Sequence, residues 1–168
     1  MIKKYLIILV VLLSVIVSCT KDPVETIYFD FTGNKGVYVL SEGNFMYGNS
    51  SLSFYDPLAK RVYNQIFQAR NGAPMGDVAQ SMLLWNNLGF IVVNNSGKIY
   101  VIDSKTAEFK GNISGLNSPR YVHVVNEQKA YVTDLYARKI TIFNPSTFQK
   151  TGTISVINSN AEFKQHST

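Results

Sequence analysis

Beyond residue 35, apolar and polar positions alternate in short runs that turn residues interrupt, whereas the start of the chain holds one unbroken apolar run, Tyr5 to Val17. Alternation with a period of two over about four to eight residues, rich in Val, Ile, Tyr, Phe and Thr, is the pattern of a β-strand. It predicts strands near 79–85, 88–94, 97–103 and 107–113, then near 120–126, 129–135, 138–144 and 148–155, with an earlier strand over Val24–Phe31. Ile99-Tyr-Val-Ile102 is apolar on both faces, as a strand is when covered on both sides. After the first run, no stretch of about ten or more residues keeps clean helical spacing, so helix should be nearly absent.

The strands recur as a unit. Phe90–Ser114 and Tyr131–Ser155 align without a gap at an offset of 41, matching Lys98-Ile99 with Lys139-Ile140, Thr106 with Thr147, and Gly111, Ile113 and Ser114 with Gly152, Ile154 and Ser155. Upstream, Leu52-Ser-Phe-Tyr-Asp56 matches Ile99-Tyr-Val-Ile-Asp103 at an offset of 47. Each copy carries one tight turn, at Asp56-Pro-Leu-Ala, Asp103-Ser-Lys-Thr and Asn144-Pro-Ser-Thr, with Asp or Asn first, where its side chain can bond the turn's own backbone. Four strands per unit at this spacing is the signature of a propeller blade. The expected fold is therefore all-β: a β-propeller of four-stranded antiparallel blades, about three of them present, over about 36–67, 79–114 and 120–155. Tyr55, Ile102 and Phe143 belong to the core between blades. Propellers need at least about four blades, so the sequence is expected to be the N-terminal part of a longer protein that leaves one blade edge open.

The run Tyr5–Val17, preceded by Lys3 and Lys4 and followed by Ser18 and Cys19, is too short to span a membrane and has the layout of a secretory signal. Ile16-Val17-Ser18-Cys19 resembles the lipobox of bacterial lipoproteins, with Ile16 where Leu is commonest and Val17 where a small residue is. That resemblance implies cleavage after residue 18, lipidation of Cys19, the chain's one cysteine, and export to the outer membrane, with the cell surface or the periplasm as the side faced. Residues 1–18 are then the signal, 19–25 a lipidated tether and 26–168 the propeller. The formal charge of +5 falls to about +3 without Lys3 and Lys4, and the basic residues are scattered, which argues against a nucleic-acid surface.

Blade-linking loops and the hairpins between a blade's second and third strands open on one face of a propeller, and here that face is the irregular one. The first such hairpin is five residues longer than its counterpart, and its loop Glu42–Asn49 presents Asn44, Phe45 and Tyr47. The linker Gln68–Asp77, rich in Gly and polar residues, brings Asp77 with Gln80 just after it; the third copy offers Asp134, Tyr136 and Arg138, and Arg120 and Tyr121 begin an inner strand that faces the central channel. These ten residues are the candidate ligand contacts. Aromatic area with a few placed polar groups is what a polar-rimmed ligand requires. The alternatives are that Phe45 and Tyr47 pin a long loop, that Asp77 and Asp134 cap turns, and that Arg120 and Tyr121 bond between blades.

Tyr131-Val-Thr-Asp134 with Ile140-Thr-Ile-Phe-Asn144 resembles the YVTN-type, or YncE-like, propeller repeat. Ser41-Glu-Gly-Asn-Phe45, Gly76-Asp-Val-Ala-Gln-Ser81, Val93-Asn-Asn-Ser-Gly97 and Ser118-Pro-Arg-Tyr121 resemble the cell-surface propeller lipoproteins encoded beside TonB-dependent receptors, among them the cobalamin-capturing BtuG type. The resemblance covers about residues 36–168. It implies a seven-bladed ring that binds cobalamin or a related corrinoid, hands it to a TonB-dependent outer-membrane receptor, and uses no cofactor or metal. Two other readings stand beside it: an envelope propeller that binds a protein, and a metal-dependent hydrolase in which Glu42, Asp77 and Asp134 converge on an axial metal. The histidines, His123 in a strand and His166 in the tail, show no zinc-ligand spacing.

Overall fold

The structure, a computed structural model, describes residues 35–156. The signal expected over residues 1–18, Cys19, the tether expected over 19–25, the strand expected over Val24–Phe31 and His166 lie outside the described residues. Eleven strands and one short helix follow in order: β1 (Val37–Ser41), β2 (Ser51–Asp56), β3 (Arg61–Tyr63), α1 (Ile66–Asn71), β4 (Ala79–Trp85), β5 (Leu88–Val93), β6 (Lys98–Asp103), β7 (Phe109–Ile113), β8 (Pro119–Asn126), β9 (Lys129–Asp134), β10 (Lys139–Phe143) and β11 (Lys150–Ser155). They form three antiparallel sheets, β1-β2-β3, β4-β5-β6-β7 and β8-β9-β10-β11, stacked as consecutive propeller blades. β4 packs beside β8, and β1 packs beside β4 as β5 packs beside β8.

The repeat seen in the sequence is a repeat of register. Tyr38 pairs with Phe54, Phe90 with Val101 and Tyr131 with Ile142, so β1, β5 and β9 are equivalent, and the first sheet's counterpart of β4 and β8 is not among the described residues. The bulges repeat as well. Register slips between Val101 and Ile102 against β7, and between Ile142 and Phe143 against β11, each pair 41 positions from the other.

The three tight turns close in one way. Asp56 Oδ1 accepts from the backbone N–H of Leu58 and Ala59 at 2.8 and 3.0 Å, Asp103 Oδ1 from Lys105 and Thr106 at 2.8 and 3.1 Å, and Asn144 Oδ1 from Ser146 and Thr147 at 2.8 and 3.1 Å. Four residues after each anchor the chain turns left-handed, at Lys60, Ala107 and Phe148 with φ of 50°, 58° and 62°, a region that costs a residue with a Cβ about 1–2 kcal/mol. The side-chain bonds of the turn offset that strain.

Two cores lie between the sheets. Leu52 and Phe54 of the first sheet meet Ile91, Val93 and Ile102 of the second, and Phe90, Val92, Ile99, Val101 and Ile113 meet Ala130, Val132 and Phe143 of the third. Successive residues of β5 thus serve opposite cores, and full burial of each such side chain is worth about 1.5–3 kcal/mol. Ile102 and Phe143 are core as expected; Tyr55, paired with Val37 and Val62 on the open side of the first sheet, is only half-buried.

The linker differs from the loop expected over Gln68–Asp77, because its first part is the helix α1. Gln65 and Gly72 flank it in left-handed conformations, and the Gly72 N–H bonds Gln68 O. Ile66 and Phe67 drive the turn by entering the first core, where the Phe67 ring lies 4.9 Å from that of Tyr100.

Candidate functional site

The β1–β2 hairpin is long, and it is held by its neighbours as well as by its own strands. Gly43 adopts a φ of +79°, and a Cβ there would come within 2.6 Å of Asn49 Oδ1 and 2.7 Å of the Ser50 nitrogen, so only glycine fits. Asn49 Oδ1 accepts from the Asn44 N–H at 2.8 Å, and the Tyr47 N–H donates to Asn44 O at 3.1 Å. The linker then ties the hairpin down: Ser50 donates through N–H and Oγ to Gly76 O, the Ala79 N–H donates to Glu42 O, and the Met46 N–H donates to Asp77 Oδ2 at 2.8 Å.

Asp77 is the hub of this tie. Its Oδ2 also accepts from Asn95 Nδ2 at 2.5 Å. The Asn95 amide, with the backbone N–H groups of Met46 and Gly48, holds the Asp77 carboxyl below its ordinary range against the opposing effect of burial. The second hairpin is fixed in the same manner, for Asn94 Nδ2 donates to Ser118 Oγ at 2.8 Å and to Pro119 O at 2.9 Å. In the third, the Asp134 carboxylate takes four backbone N–H groups, those of Asn117, Ser118, Tyr136 and Ala137.

Between these hairpins lies a cleft of about 500 Å³, lined by Glu42, Gly43 and Phe45 of the first hairpin, Val78 of the linker, Asn94 and Asn95 of the second hairpin, Ser118 and Arg120 at the start of β8, and Tyr136 of the third. All three blades contribute. Arg120 Nη1 donates to Gln80 Oε1 of β4, and Arg120 O accepts from Ser81 Oγ at 2.6 Å, so β4 positions it from both ends.

Of the ten residues expected from the sequence, Phe45, Arg120 and Tyr136 line the cleft. Asp77 and Gln80 stand behind it and orient residues that do. Asn44 serves the first hairpin's backbone, and Tyr47 projects from its tip, 77% exposed. Asp134 and Arg138 belong to the third turn, Arg138 as its left-handed residue at φ 49°. Arg120 and Tyr121 do not face one channel together. Neighbouring strand residues point to opposite faces, and Tyr121, 60% exposed, lies away from Arg120 on the open face of the third sheet.

The structure adds Asn94, Asn95 and Ser118, which sequence reasoning missed. A signal existed for two of them, since the offset of 41 maps Leu135 and Tyr136 back onto Asn94 and Asn95. Among the described residues, no three His, Cys, Asp or Glu gather to hold a metal, and Asp77 and Asp134 are engaged by separate hairpins. The cleft presents two aromatic rings, two carboxamides, a hydroxyl, one guanidinium and the Glu42 carboxylate.

Solved structures of similar fold are propellers and propeller-like proteins. A quinoprotein alcohol dehydrogenase-like protein from Bacteroides thetaiotaomicron matches with a TM-score of 0.58 at 18% identity, over 73% of this chain and 28% of its own. AztD from Citrobacter koseri matches at 0.52 and 22%, over 74% and 34%, and the WD40 repeats of RRP9 at 0.55 and 10%, over 71% and 35%. The chain thus spans about a third of each. No curated protein sequence matches it. The family described as Domain of unknown function (DUF5074) matches residues 35–165, and the chain belongs to it.

Proposed function

We propose that this chain is part of an exported, lipid-anchored propeller whose loop face captures a ligand, cobalamin or a related corrinoid, and passes it to a TonB-dependent outer-membrane receptor. The observation that carries the reading is the cleft of about 500 Å³, built from all three blades and lined by Phe45, Tyr136, Asn94, Asn95 and Arg120. Apolar area with a few convergent polar groups suits a large ligand with a polar rim, and carboxamides at the mouth complement the amide side chains of a corrinoid. Cys19 behind its apolar run supports anchoring, and the likeness to BtuG-type lipoproteins supports the ligand and the receptor.

One observation favours a second reading, a propeller that docks a protein. Met46 and Tyr47 at the hairpin tip are 78% and 77% exposed, beyond the residues that line the cleft, and the Asp77 ties hold them there. Calorimetric titration of the full-length protein with cyanocobalamin separates the two. Heat at micromolar protein with one-to-one saturation is expected; a flat titration leaves the docking reading.

A further inference from the structure

Within this ligand-binding role, we infer that Arg120 is the specificity-determining residue, and that the cleft takes a molecule bearing an oxyanion, phosphate or carboxylate, on a ring-containing apolar body. Arg120 is the one cationic side chain that lines the cleft. It is half-buried and held: Nη1 donates to Gln80 Oε1, and Ser81 fixes its carbonyl. Arginine carries five N–H donors in a planar fork, and the Gln80 bond is the one side-chain bond described for it. No ion pair satisfies it among the described residues, where Lys110 is the basic partner in both ion pairs.

A held guanidinium without a counter-ion, in a partly desolvated cleft, is complementary to an oxyanion, which the fork engages through two parallel bonds. Glu42, the one acid lining the cleft, sits on the exposed hairpin and forms no ion pair with it. The ring faces of Phe45 and Tyr136, from the first and third blades, provide the apolar contacts on the same cleft. Asn94 donates through Nδ2 to Ser118 and Pro119, and Asn95 through Nδ2 to Asp77; both amides are uncharged, so they can meet a ligand's amides but leave charge reading to Arg120.

The test uses the full-length protein and three small probes, benzyl phosphate, phenylacetate and benzamide, titrated by NMR shift perturbation. The two anions are expected to bind about tenfold or more tightly than benzamide, the worth of a charge-assisted hydrogen bond, and the better of them identifies the oxyanion. Arg120→Gln should remove that preference, bringing the affinities for the two anions down to about that for benzamide in the same variant. Equal binding of all three probes, binding of none, or an undiminished preference in Arg120→Gln overturns the inference. The wild-type comparison decides it even if the variant fails to fold. A flat cobalamin titration with the anion preference intact removes the corrinoid alone; cobalamin binding without the preference removes this inference alone.

Discussion

Tyr38 of β1 donates its hydroxyl to Ser104 O at 2.9 Å, across to the tight turn of the second sheet. Burial first, and the nearby Asp103 carboxylate second, push its phenol from 10.0 up to about 12. The fold therefore binds the phenolic proton more tightly than the unfolded chain does, so the contribution to stability is complete below pH 10 and is lost as pH rises toward 12. Tyr38→Phe should cost about 1 kcal/mol at neutral pH from the lost bond, yet its chemical-denaturation midpoint should fall less steeply than wild type between pH 10 and 12. The same scale shows why single site residues were hard to read. Asp77 and Asp134 look alike as acids in polar loops, and both serve the backbone: Asp77 ties the first hairpin to the second, and Asp134 ties its own turn to the linker at Asn117 and Ser118. Tyr121 was paired with Arg120 by adjacency, which in a strand separates side chains instead of joining them.

At the scale of elements, the strands were legible because two copies carry one pattern at a fixed offset, so each strand was read twice. The tight turns were legible for the same reason. α1 was not, since six residues are under two turns and Gln65 makes no side-chain cap, leaving neither periodicity nor a capping signal. The helix nonetheless joins two blades. Asn71 Nδ2 donates to Phe67 O at 2.9 Å and to Ala107 O at 3.0 Å, and its Oδ1 accepts from the Phe109 N–H at 2.8 Å. Asn71→Ala removes both bonds to the second sheet and should destabilise the fold by about 1–3 kcal/mol, read as a lower midpoint in urea.

For the whole molecule, the repeat exposes an asymmetry. Phe90, Ile99, Val101 and Ile113 of the second sheet are 0–2% exposed against the third. Their counterparts at the offset of 41, Tyr131, Ile140, Ile142 and Ile154, form the third sheet's open face, with Ile154 44% exposed. An apolar sheet face shaped to receive a blade should drive association. A polypeptide of residues 19–168 is expected to self-associate in sedimentation velocity, and Ile142→Lys to weaken that association by about tenfold or more; an unchanged profile would place the contact elsewhere.

β5 carries a further consequence. Ile91 and Val93 belong to one core, Phe90 and Val92 to the other, so neither interface can open without stripping one side of the same strand. Removing the third sheet would bare the Phe90 and Val92 side of β5 while Ile91 and Val93 stay packed. In a stack where each blade touches only its neighbours, stability is then a sum over interfaces, and among the described residues the second sheet is the one blade that counts in two of them.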